Sequence, residues 1–154
     1  SMFFHCPLFN NGSIVNDGLH PFAWTTTTAL TNVNSMFNDC AAFNQPLVFS
    51  DMSGVTIAAT MLNACPLFKQ NLSSWTVTAC TTFTGFYTAD MNSPDSATSQ
   101  ANYDALLLSW SSQAVRSGLT FDMGTTKYSA AAVAARATLT NTHGWTVNDG
   151  GLAP

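Results

Sequence analysis

Apolar positions along this chain fall into a register that recurs three times. It reads Met2-Phe3-Phe4-His5-Cys6-Pro7-Leu8-Phe9, then Met36-Phe37-Asn38-Asp39-Cys40-Ala41-Ala42-Phe43, then Met61-Leu62-Asn63-Ala64-Cys65-Pro66-Leu67-Phe68. The second and third copies are offset by 25 residues, and the offset holds for Cys40 and Cys65, Phe43 and Phe68, Gln45 and Gln70, and Leu47 and Leu72. The first and second copies are 34 apart, and most of the excess falls in Asn10 to Phe22, where Gly12, Gly18 and Pro21 mark an inserted surface loop. Units this short cannot each bury a core, so the pattern predicts a stack of about three coils over residues 1–90, with the insertion at 10–22. Insertions in stacked repeats emerge on one face, often the binding face.

Within each unit the stretch equivalent to Leu72–Val77 alternates and is rich in β-formers, which predicts a short strand there, with Leu47–Met52 as its neighbour in the stack. Met61-Leu62-Asn63-Ala64-Cys65 and its equivalents fit one helical or 3₁₀ turn packing inward. The architecture so predicted is an α/β repeat solenoid with one short strand and one short helical turn per coil, its strands lining up about 4.8 Å apart in a parallel sheet. Residues 91–102, with Pro94 and many small polar side chains, read as a linker. Beyond it, residues 103–154 read as an α+β C-terminal cap. Tyr103, Leu107, Trp110 and Ala114 form one helical face, with Asp104 in the favourable first turn. Leu119–Phe121 is a strand, Ser129 an N-cap for an Ala-rich helix through about Asn141, Gly144 its stop, and Trp145–Val147 a last strand. These elements would cover the open end of the stack and prevent edge-to-edge association.

The residues Phe43-Asn44-Gln45-Pro46-Leu47 and Phe68-Lys69-Gln70-Asn71-Leu72-Ser73-Ser74-Trp75, followed by Trp75-Thr76-Val77 and Thr82-Phe83-Thr84-Gly85-Phe86, resemble a known repeat. It is the BspA-like bacterial surface-protein repeat of about 25 residues, distantly akin to leucine-rich repeats. Thr76 stands where that family has Asp, and Ser50 takes its Trp position. Tyr103-Asp104-Ala105-Leu106-Leu107-Leu108-Ser109-Trp110, Ser117–Phe121, Lys127-Tyr128-Ser129, Ala135-Arg136 and Gly144–Gly151 look like the segment that closes such arrays in large surface proteins. The resemblance implies a leucine-rich-repeat-like solenoid and a surface-exposed, non-enzymatic module. It does not imply a ligand.

Composition agrees with strands and turns. Only 8% of residues are charged and every acid is Asp, a poor supply for surface helices. A net charge of -4 with four scattered Lys and Arg argues against nucleic acid as a partner. No apolar run reaches the ~20 residues of a membrane span, so no membrane insertion is expected, and no signal peptide is recognisable. The first repeat starts at Met2 without the polar cap that stacks need, which leads us to expect the C-terminal part of a longer protein.

Cys6, Cys40 and Cys65 share one register position, and Cys80 takes the place of Val55. Buried free Cys acts as a small hydrophobe, so reduced core thiols are expected. A Cys40–Cys65 disulfide is the competing reading, although parallel neighbours seldom meet its Cβ geometry. There is no CxxC pair, and His5, His20 and His143 lack ligand spacing, so no metal and no other cofactor is expected. Asp39, Asp51, Asp104, Asp122 and Asp149 are explained by turn or cap chemistry, and neither a G-x-S-x-G elbow nor a Gly-rich phosphate loop occurs. No enzyme is expected.

The leading functional expectation is an adhesion or recognition module on a bacterial cell or at a virion fibre, outside the cell, binding a glycan or a protein. Candidate contacts are Asn10, Asn11, Asn16, Asp17 and His20 in the insertion, with Trp24 and Trp75. The two Trp share a register: facing outward they would make an aromatic stripe, facing inward they are core. A purely structural spacer and terminal cap is the alternative. Ice or crystal-surface binding is prompted by Thr25–Thr28, Thr76-Val77-Thr78 and Thr138-Leu139-Thr140, but Asp51 and Ser53 interrupt the series. Oligomeric state stays open.

Overall fold

The computed structural model describes residues 2–12, 19–24, 29–49, 51–89 and 96–154. Strands β1 (Phe22–Trp24) and β2 (Leu47–Phe49) pair in parallel, Phe22 beside Leu47 and Trp24 beside Phe49. Strands β3 (Phe83–Tyr87), β4 (Thr120–Met123) and β5 (Thr146–Asn148) make a second parallel sheet in that order. Helix α1 spans Ser96–Ser111, and helix α2, Val133–Ala137, is preceded by a 3₁₀ turn at Ala130–Ala132 and followed by a π turn at Thr138–Thr142.

Segments 25 residues apart lie side by side. Val33, Phe37 and Asp39 donate their N–H groups to the carbonyls of Ile57, Met61 and Asn63, each at 2.9 Å. Ala58, Thr60 and Leu62 donate in turn to Thr82, Thr84 and Phe86 at 3.2, 3.0 and 2.9 Å. Phe3 and His5 donate to Met36 and Asn38 in the same sense. Isolated parallel bridges Asn32–Ile57–Thr82 lead this second ladder into β3, so the β3–β4–β5 sheet continues it.

Two expected elements take another form. Met61–Cys65 is a run of turns and not a helical turn, because Thr60 and Ala64 sit at φ 52° and 54°, as Ser35 and Asp39 do one copy earlier at 53° and 60°. A left-handed residue every fourth position breaks a right-handed helix and turns alternate N–H groups sideways into the ladder. Leu72–Val77 is likewise not a strand. Asn71 Oδ1 captures the Ser73 N–H at 2.8 Å and Trp75 N–H returns to the Leu72 carbonyl at 3.2 Å, a local turn that competes with sheet pairing.

The core includes a file of near-parallel aromatic rings. Phe3 lies 5.4 Å from Phe37, Phe37 lies 4.5 Å from Phe43, and Phe43 lies 5.8 Å from Phe68, all near parallel. Cys40, Cys65 and Cys80 are buried and Cys6 is half-buried, all four as free thiols, so the competing Cys40–Cys65 bridge is not formed. Burial pushes the Cys65 thiol up to about 12.

Helix α1 begins at Ser96, inside the stretch read as linker, of which residues 91–95 lie outside the described residues. Its early start is matched by docking: Asn102 Nδ2 donates to the Lys69 carbonyl at 2.8 Å and Ser109 Oγ to the Ser73 carbonyl at 2.6 Å. Beyond its end, Gln113 donates to the Trp75 carbonyl at 2.9 Å and accepts the Val77 N–H at 2.8 Å. Asp104 is therefore mid-helix and not in the first turn. It accepts from the Ser129 N–H at 2.9 Å and Oγ at 2.5 Å, while Ser129 Oγ accepts from the Ala131 N–H as the expected N-cap. The chain leaves the π turn through Gly144 at φ 66°, where the stop was expected. Behind these elements, Arg136 grips Asp149 with Nε and Nη2 at 2.8 and 3.1 Å, and Tyr103 donates its hydroxyl to the same carboxylate at 2.8 Å. Burial, with Asp149 adding to it, pushes the Tyr103 phenol well up.

Candidate functional site

Residues 10–12 and 19–22, which flank the undescribed part of the segment read as an insertion, are joined by a neck of polar groups. Asn10 is only 7% exposed, and its Oδ1 accepts the Asn44 N–H at 3.0 Å and Gln45 Nε2 at 3.1 Å. One copy later Asn44 Oδ1 repeats the arrangement, accepting the Lys69 N–H at 2.9 Å and Gln70 Nε2 at 3.0 Å. The equivalent triplets Phe9-Asn10-Asn11, Phe43-Asn44-Gln45 and Phe68-Lys69-Gln70 thus build an amide ladder, and α1 joins its end through Asn102 and the Lys69 carbonyl. Amides suit the task because one side chain both accepts and donates. Asn10 belongs to this ladder rather than to a contact surface.

Asn11 closes the neck. It sits at φ 49° before Gly12 at 83°, and its Nδ2 reaches across the insertion to the carbonyls of His20 at 3.0 Å and Pro21 at 2.9 Å. The His20 N–H donates to Gln45 Oε1 at 2.8 Å, which ties the returning strand to the ladder. The His20 side chain is exposed, as are Leu19 at 75% and Leu8 at 89%. Asn16 and Asp17 lie outside the described residues, and so does the side chain of Trp24, whose backbone forms the end of β1.

Trp75 corrects the outward alternative. It is 2% exposed, packed 5.5 Å from Phe49 and 6.4 Å from Phe86, with its Nε1 turned to the Leu47 carbonyl. The Asn71–Ser73 turn swings it inward, so it is core and leaves the set of surface contacts. Of the sequence candidates, Asn10, Asn11 and His20 are brought together at the neck.

Three polar groupings escaped sequence reasoning. The Asn11 latch had a signal in the Asn-Gly pair, which favours positive φ at both residues of a tight turn. His5 Nδ1 pairs with Asp39 Oδ2 across neighbouring copies, and the two are 34 apart, the very offset of those copies. The Arg136–Asp149–Tyr103 group had no local signal, since it spans residues 103 to 149. Among the described residues no group of three or more His, Cys or carboxylates converges on one point. Asp51 is held below its ordinary pKa by hydrogen bonds from Ser53, a turn interaction in the open. Thr138 and Thr140 lie in the π turn and donate their hydroxyls to the Ala134 and Arg136 carbonyls. Thr25–Thr28 lie outside the described residues.

A family model described as a Mycoplasma protein of unknown function, DUF285, matches residues 1–100. The chain belongs to the DUF285 family. The match spans all three copies of the register, in line with the relation to BspA-like repeats, and ends before residues 103–154, the part read as a cap. No curated protein and no solved structure matches the chain. No helix of the described residues is long and apolar enough to cross a membrane.

Proposed function

We propose that this chain is a non-enzymatic, surface-exposed recognition module of a cell-surface or virion-fibre protein. A repeat solenoid of leucine-rich-repeat-like form, closed by an α+β cap, presents the 10–22 insertion to a glycan or protein outside the cell. One observation carries the reading. Both ends of the insertion are locked into the amide ladder, through Asn10 to Asn44 and Gln45 and through His20 to Gln45, so the loop rests on a rigid base. Binding segments held by rigid scaffolds lose little conformational entropy on engagement. Exposed Leu8, Leu19 and His20 supply mixed apolar and polar contact around it.

The burial of Asn10 and Trp75 favours a second reading, a spacer and terminal cap without its own ligand. One experiment separates the two. Labelled protein is screened against glycan arrays and intact microbial cells, alongside a variant lacking residues 12–19. Recognition by the loop gives saturable binding that the deletion abolishes while the thermal midpoint stays nearly constant. Silence from the folded full chain, or binding that survives the deletion, overturns it.

A further inference from the structure

We propose that Asn11-Gly12 is a self-modifying site whose reaction opens the neck of the insertion. It is the single Asn-Gly pair of the chain. Gly12 is exposed, a Cβ built on it would meet nothing within 4 Å, and among the described residues no acceptor holds its N–H. Gly12 thus has no side chain and no close neighbour to crowd its nitrogen, which follows Asn11 directly in the chain, so closure of the five-membered ring needs only that the Asn11 side chain leave its two carbonyl partners. In the reaction the Gly12 nitrogen attacks Asn11 Cγ, the Cγ–Nδ2 bond breaks, and the proton lost by Gly12 departs with the side-chain nitrogen as ammonia. Water then opens the five-membered imide at either carbonyl to give aspartate or isoaspartate.

The structure makes this change consequential. Asn11 Nδ2 is the donor to both the His20 and Pro21 carbonyls, at 3.0 and 2.9 Å. Replacing the amide nitrogen by a carboxylate oxygen leaves acceptor facing acceptor at both contacts, so the latch becomes a repulsion. The isoaspartate product also adds a methylene to the backbone one residue from Asn10, whose Oδ1 seats Asn44 and Gln45. The latch thus runs down with time in water, unlike the Asn10–Asn44 ladder beneath it. This holds whether or not the loop is a recognition element.

The test ages the full chain in mildly alkaline buffer and follows, by peptide mass mapping, replacement of NH₂ by OH at every Asn. In parallel, hydrogen exchange of residues 19–22 is compared between the unaged protein and Asn11→Asp, with the amides of 57–63 as a control for intact fold. Expected are conversion at Asn11 ahead of every other Asn, and severalfold faster exchange at 19–22 in Asn11→Asp with the control amides unchanged. Conversion at Asn11 no faster than elsewhere overturns the site. Unchanged exchange at 19–22 in Asn11→Asp overturns the unlatching.

Discussion

At the scale of single residues, burial decides what an identical amide is worth. Asn44 is 1% exposed and its Oδ1 serves both the Lys69 N–H and Gln70 Nε2, whereas Asn11 is half-buried and its two acceptors stand near water. Asn44→Ala should cost about 2 kcal/mol and Asn11→Ala less than about 1 kcal/mol, because the partly buried Lys69 N–H and Gln70 Nε2 lose an acceptor that water replaces poorly, whereas the exposed His20 and Pro21 carbonyls can turn to water. Urea unfolding of the two variants checks the ordering, and equal losses would refute the distinction. The thiols rank by the same reasoning. Burial raises Cys40 and Cys65, the latter to about 12 from an ordinary 9.0, so the native protein should label first at Cys6 and last at Cys65 with a thiol reagent near neutral pH. The linked stability has a definite sign. The folded state keeps the Cys65 proton where the unfolded chain has lost it, so this contribution is whole below pH 9.0 and is lost as pH rises towards 12. Stability that rose between those limits would contradict the burial of the thiol.

At the scale of elements, left-handed residues shape each copy. Ser35, Thr60 and Gly85 occupy one column at φ 53°, 52° and 64°, and Asp39 and Ala64 another at 60° and 54°. Asp tolerates this region through its short polar side chain, but Ala64 has no such compensation and is exposed. Ala64→Gly should therefore stabilise the protein by about 1 kcal/mol, net of the greater chain entropy of Gly. Gly124 shows the opposite case. At φ 58° it also lies where a Cβ would sit 2.1 Å from the Ala89 carbonyl oxygen, so Gly124→Ala should lower the thermal midpoint far more than Gly118→Ala, whose Cβ meets open space at φ 73°. Calorimetry on the three variants tests both statements. The turns also explain why the sequence pattern misled at Met61–Cys65 and Leu72–Val77. Apolar spacing reports which side chains face inward, and turns, strands and short helices can all satisfy it over five or six residues.

At the scale of the whole molecule, one apolar cluster runs from Val33 to Val147 through every described element except the first copy, which packs against it through Phe3, Phe9 and Phe22. The repeats and the following α and β elements share this core, and Gln113 stitches them by bonding both Trp75 and Val77. A shared core predicts a single cooperative transition, with far- and near-ultraviolet dichroism coincident, and Gln113→Ala should shift that transition by about 2 kcal/mol without splitting it. Two separated transitions would mean that residues 103–154 fold independently of the copies before them.

The amino-acid sequence by itself determined the 25-residue register, the inward column of Cys, the Ser129 cap and the Gly144 stop, and the register is the part that lies within the family match over residues 1–100. Each of them is a property of the one-dimensional string: a recurrent spacing compares the chain with itself, and a cap or stop preference is written in neighbouring residues. Tertiary structure alone decided that Trp75 faces inward, that Asp104 reaches Ser129, that Arg136 and Tyr103 converge on Asp149, and that Asn11 latches His20 and Pro21. Those outcomes turn on how alternate N–H groups are aimed sideways by left-handed residues and on which carbonyls the packed helix can reach. Such directions are set when distant segments meet, and hydrophobic spacing carries no record of them.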